Sequence, residues 1–325
     1  MARTAVFAEA ASVPTGANAG LLTLVLGANL LCGLALPLVL LPGSPYWLLL
    51  LLPFTALTIT HWALIHEAVH GHLHPRHGVN EALGRLLGVL FGGSFAVLRF
   101  GHLSHHSLNS RPSERAELYD PAEVPRWRAA VQFYSRLLWG VYLAEFLSSL
   151  ICFLPRRPLG AVVRRLFYEG AADARGVAER AERQLLEPRQ LARIRLDSGL
   201  ALGWLAACLL LYGSSAWAFG LAFLGRGVVV SFMDNAPHYA GEVQEPDQGY
   251  DMRAPRPAAT LILNTNLHGT HHRHPNLPWT SLPAAFAADS AAYAGSYFVL
   301  PWRQLRGLIP YPPPGPAADG TVSTA

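Results

Sequence analysis

Apolar positions in this chain gather into a few long runs instead of the 3.6-residue stripe of a soluble amphipathic helix. Residues 20–42 carry no charge and are long enough to cross a bilayer. A Pro-Gly-Ser-Pro turn at 42–45 leads into a second run from Tyr46 to about Ile65, so the two predict a helical hairpin. Residues 81–98 are apolar but rich in Gly and interrupted by Arg85, which predicts a re-entrant or interfacial helix. A charged, Pro-containing loop follows at 110–128. Residues 131–154 are long enough to span but contain Arg136 and Glu145. Two shorter apolar runs flank Gly213-Ser214-Ser215 and predict a second hairpin, at about 196–213 and 214–233.

The polar positions between these runs are dominated by histidine. His66-Glu67-Ala68-Val69-His70 closes the second apolar run. His102-Leu103-Ser104-His105-His106 follows the re-entrant stretch, and His268-Gly269-Thr270-His271-His272 lies in a helical stretch predicted around Thr260 to His272. His238 stands alone. Steps of three and four residues return to nearly the same face of a helix. For all these side chains to meet on one side of a membrane, an even number of crossings must separate the second run from the third. Four spanning helices in two hairpins, with 131–154 lying in the interface, satisfy that parity. They also leave the segment 156–195, with ten Arg against five acids, on the cytoplasmic side with the histidines. The rival arrangement, with 131–154 and 197–233 each crossing once, puts that segment outside. The Arg-rich segment reads as an amphipathic helix on anionic lipid. The expected fold is therefore an all-α integral membrane protein with a cytosolic histidine cap. It forms one domain over 1–325, with 1–19 and 311–325 as flexible tails.

Composition supports a membrane protein. Only 14% of residues are charged and 51% are apolar. All 25 basic residues are Arg, which with the many Ala, Gly and Pro reads as a GC-rich coding bias and a bacterial cytoplasmic membrane. The net charge of +4, without interleaved aromatics, argues against nucleic-acid binding. Residues 1–19 lack the basic start and cleavage site of a signal peptide. Cys32, Cys152 and Cys208 each sit in an apolar stretch and read as core residues.

Nine histidines in three runs and one lone position are too many for one metal and suit two ions with open positions. The first run also matches H-E-x-x-H, two helical zinc ligands with Glu67 as base. That membrane peptidase would need only one more ligand and would leave the other two runs unexplained. His61 points about 140° from His66 on an ideal helix and reads as packed against a neighbour. His74 and His77 flank a Pro turn and read as solvent-facing.

The order H-x-x-x-H, H-x-x-H-H, a lone His, then H-x-x-H-H followed by Pro275-Asn276-Leu277-Pro278-Trp279 resembles the membrane fatty acid desaturase superfamily, which includes hydroxylases and ketolases. The resemblance covers residues 20 to 285. It implies a di-iron centre that activates O2, with His66, His70, His102, His105, His106, His238, His268, His271 and His272 as ligands. Some members use a further polar side chain acting through water. Asp234 and Asn264 are the candidates here, each read in preference as a partner fixing an imidazole tautomer. Glu67, His72 and His274 complete the surrounding set. The resemblance implies a lipid-like substrate, an acyl chain to be desaturated or another hydrophobic molecule to be hydroxylated. No Gly-rich dinucleotide motif, haem module or Cys-rich cluster is present, so electrons must come from a separate ferredoxin or cytochrome-type donor with its reductase.

Overall fold

The computed structural model describes residues 12–311 apart from 170, 244 and 246. The first helix, α1 (Thr15–Leu40), is apolar throughout and shifts into a wider helical register over Leu31–Leu40, around Pro37. α2 (Pro45–His70) returns beside it and ends at Gly71, whose φ of 81° closes the helix after the first histidine run. α3 (His77–Phe91) and α4 (Phe95–Leu108) meet at a 97° bend at Gly92-Gly93. The bend falls within 81–98, the stretch for which a re-entrant or interfacial helix is expected. Its second arm carries His102, His105 and His106.

A continuous helical stretch at 126–151 (α5) comes next, and its Tyr142 N donates to Ser231 Oγ. α6 (Arg156–Leu166) and α7 (Val177–Leu185) follow, then α8 (Pro188–Tyr212) and α9 (Ala216–Asn235). Among the described residues three helical stretches have the length and apolarity to cross a membrane: Thr15–Leu40, Pro45–His70 and the 48-residue Pro188–Asn235. The last folds back at Gly213 (φ 52°). Ala201 and Arg226 line one small cavity, whereas a straight helix would hold them about 37 Å apart. The remaining elements are α10 (Arg256–Leu261), α11 (His268–Arg273), α12 (Leu282–Ala288) and a 3-10 turn at Leu300–Arg306. Two-residue parallel pairs tie Leu118–Tyr119 to Ile309–Pro310 and Met252–Arg253 to Gly295–Ser296.

Three expectations change. Residues 15–19 belong to α1 rather than to a tail, because Asn18 is buried and donates to the carbonyls of His72 and Leu73. The Arg-rich stretch is two short helices plus the start of α8, broken at Tyr168 (φ 64°) and Gly176 (φ 80°). Their apolar faces close on each other and on α4 through Leu159, Val163, Leu185, Ile194 and Phe100, leaving those faces unavailable for lipid. The helical stretch at 260–272 is interrupted, with Leu263 and Asn264 at φ 50° and 52° between α10 and α11. From residue 312 onward the C-terminal tail lies outside the described residues.

Candidate metal centre

The nine expected histidines converge into two adjoining groups. His66, His70, His102, His106 and His271 form one, and His105, His238, His268 and His272 the other. Within each group the candidate donor nitrogens all lie within 4.8 Å of one another. The pattern follows helical geometry. Each histidine box keeps its i,i+4 pair together, 66 with 70, 102 with 106 and 268 with 272. The middle histidine of each H-x-x-H-H box crosses to the other group, His105 joining 268 and 272 while His271 joins 102 and 106.

The spacing of the donors fits a bound cation. His66 Nε2 lies 3.0 Å from His271 Nε2, which is 3.1 Å from His106 Nε2. His102 Nε2 lies 3.0 Å from both His70 Nε2 and His106 Nε2. In the other group His268 Nε2 is 2.8 Å from His238 Nε2 and 2.9 Å from His272 Nε2. Two nitrogens at right angles about an ion some 2.1 Å away would sit about 3.0 Å apart. One neutral imidazole nitrogen cannot hydrogen-bond two further ring nitrogens equally well, yet His102, His106 and His271 each face two. Burial first, and then the neighbouring imidazoles, hold His238, His268, His271 and His272 well below the ordinary histidine range. They are therefore neutral, the form a metal needs.

Carboxylates that no spacing rule singled out hold His105 and the backbone that carries His238, His271 and His272. Glu114 lies 3.2 Å from His105 Nδ1 and also accepts from the Tyr168 hydroxyl. Burial pushes the Glu114 carboxyl up, but His105, Arg136 and the Tyr168 hydroxyl outweigh it and hold it at about 2. Asp251 caps the first turn of α11, accepting from Thr270 N and Thr270 Oγ1, each at 2.9 Å. The buried pair Arg115–Glu117, 2.6 Å apart, holds the turn after His238 through Gly241 O and Ala240 N. Glu114, Arg115 and Glu117 come from the loop at 110–128 and Asp251 from the segment between His238 and the Met252–Arg253 strand, and no histidine spacing points to any of them.

The expected surrounding residues divide. Asp234 lines the cavity beside His105 and His268 but belongs to neither group. Glu67 approaches His66 Nδ1 only to 3.8 Å and accepts from Trp279 N at 3.3 Å, tying the first histidine run to the chain beyond the third. His72 stacks on His70 with ring centroids 6.1 Å apart and joins neither group. Asn264 donates to Trp279 O at 3.0 Å, because its left-handed backbone turns it out of line with His268. His274 pairs with Asp289 at 2.9 Å, away from both groups. His61 sits between Leu87 O and Arg226, as a packed histidine should.

A narrow cleft of about 70 Å³ opens beside the histidines. Ile59 and Trp62 of α2, Val230 and Met233 of α9, and Met252, Leu263, Leu282 and Tyr297 line it. The structure is that of a helical protein with membrane-length apolar helices, two adjoining buried histidine groups that could each hold a metal ion, and an apolar cleft beside them. The chain matches the Fatty acid desaturase family over residues 42–304, and it belongs to that family. Membership implies oxidoreductase chemistry and a lipid substrate. A comparison with individually curated proteins finds no match.

Proposed function

We propose that the chain is an O2-dependent di-iron oxidoreductase that desaturates an acyl or similar lipid-like chain. The observation that carries this reading is the split of nine imidazoles into groups of five and four beside an apolar cleft. His66, His70, His102, His106 and His271 would hold one iron, and His105, His238, His268 and His272 the other. Iron bound there would supply the O2-activating, electron-accepting chemistry that breaking an unactivated C–H bond requires. The chain's own part is placement. Glu114 holds His105 by its Nδ1, while Asp251 and the Arg115–Glu117 pair hold α11 and the turn after His238. Trp62, Val230 and Leu263 keep water from the acyl carbons, so that one carbon of the substrate sits next to the cage. Asp234, at the cleft wall beside His105, is the group placed to move a proton there.

Four crossings in two hairpins, with the cage on the cytosolic side, agree with the fold-back at Gly213 and the positive-inside rule. The electrons would come from a separate ferredoxin or cytochrome-type donor. The zinc-peptidase reading is disfavoured, because Glu67 is engaged with Trp279 and His66 and His70 share their group with three further histidines.

The test is elemental analysis of detergent-purified protein, followed by O2 consumption with a reductase and ferredoxin on bilayer-borne acyl lipids. About two irons per chain, and products lighter by two hydrogens, are expected. A gain of one oxygen would make the protein a hydroxylase. One zinc, no iron uptake and peptide cleavage would overturn the proposal.

A further inference from the structure

The 3-10 turn at Leu300–Arg306 is tied firmly to the spanning helices. Gln304, fully buried, donates to Phe232 O at 2.7 Å and accepts from Asn235 Nδ2 at 2.9 Å. Tyr134 of α5 donates to Leu305 O at 3.2 Å. Leu300 and Pro301 also face inward. The opposite face is apolar and outward by construction, with Phe298 58%, Val299 66%, Trp302 60% and Leu305 47% exposed. Arg303 and Arg306 flank it and are exposed as well. Large apolar side chains held outward, with Trp and Arg among them, have the composition of a bilayer interface and not of a water-facing loop.

This face continues a lipid-facing surface. The Trp302 ring packs 5.2 Å from Phe232 of α9, whose Leu221, Leu224 and Val228 point outward further along the helix. The residue that begins the segment, Tyr297, lines the cleft, as does Met233 of α9. Asp234, next to Met233, is also a cleft residue and keeps solvent contact although Ala236, Pro237 and His238 are buried. The rim of the cleft therefore lies between α9 and the start of this anchored segment.

We propose that residues 297–306 form an interfacial anchor that sets the mouth of the cleft, between Tyr297 and Met233, at the lipid boundary. A molecule dissolved in the bilayer then enters sideways, and one presented from water on a soluble carrier does not. The inference rests on reading the cleft as the substrate site and assigns that site a bilayer-resident substrate. The three native cysteines are buried, so single cysteines can be added and labelled with an environment-sensitive fluorophore. The full chain would carry Val299→Cys, Tyr297→Cys or, as a water-facing control, the exposed Glu179→Cys. Each is reconstituted in phosphatidylcholine–phosphatidylglycerol vesicles and quenched either by lipids carrying a nitroxide near the headgroup or by aqueous iodide.

Labels at 299 and 297 are expected to lose at least half their emission to the lipid nitroxide and little to iodide, with the reverse at 179. Iodide quenching at 299 like that at 179 would place the segment in water and overturn the anchor. Lipid quenching at 299 with iodide quenching at 297 would open the mouth to water and overturn sideways entry. Metal analysis of the same preparations separates the two readings. Two irons without lipid quenching sinks this inference alone, and lipid quenching without iron sinks the di-iron proposal alone.

Discussion

Gly269, between His268 and Thr270 in the first turn of α11, has no room for a side chain. A Cβ there would lie 2.2 Å from Gly249 O and 2.9 Å from Gly249 C. Ordinary carbon–oxygen contacts sit at about 3.3 Å, so Gly269→Ala requires roughly 1 Å of separation. The opposing strand cannot supply it. Tyr250 N is bonded to Pro237 O at 2.8 Å, Met252 N to Asn266 O at 2.7 Å, and Asp251 caps α11 itself. α11 must therefore move, carrying His268, His271 and His272, which serve both groups. Metal–ligand distances tolerate only about 0.2 Å, so a shift about five times larger breaks both sites. The overpacking costs about 1–3 kcal/mol, more than the up to about 1 kcal/mol that Ala gains over Gly in a helix. The expected result is a chain that still inserts in the membrane but holds less than about half an iron per site by elemental analysis, and melts earlier. Gly27→Ala, in α1 with nothing within 4 Å of its Cβ, should keep its metal. Full iron content in Gly269→Ala would refute the packing argument.

The unequal groups predict unequal mutants. His238→Ala leaves three donors of four and should drop the chain to about one metal, whereas His70→Ala leaves four of five and should keep both with weaker affinity; equal losses in elemental analysis would contradict the partition. The metal-free protein should lose stability on acidification. His238, His268, His271 and His272 are harder to protonate folded than unfolded, so the folded state binds fewer protons below the unfolded pKa of about 6.5. Their contribution is whole above that pH and falls as pH drops toward the folded-state values. Melting temperatures of chelated protein between pH 8 and 5 check the sign, and a rise toward pH 5 would refute it.

Much of the fold was legible because membrane burial constrains sequence coarsely. An uncharged run such as 20–42 leaves few alternatives, and the break at Gly213 marks a reversal that hydropathy alone reads as one long stretch. The Arg-rich stretch was misread because a strong apolar face does not say what it faces. Leu159, Val163 and Leu185 found α4 and one another instead of lipid. Asn264 misled for a different reason. Its position four residues before His268 means a shared helical face only if the helix is continuous, and two left-handed residues interrupt it.

At the centre, the convergence of these nine histidines was readable and their division was not. Helical spacing requires that i and i+4 stay together, which accounts for three pairs. Nothing in the spacing says that His105 and His271 should exchange groups, because that depends on how α4 and α11 face each other. The exchange has a mechanical consequence. α4 and α11 each carry histidines of both groups, so neither group can form without the two helices being docked, and α11 is held by the pinned segment at 249–252 through Gly249 and Asp251. Two metals bound through such shared helices should load cooperatively, because ordering either group fixes the helices that carry the other.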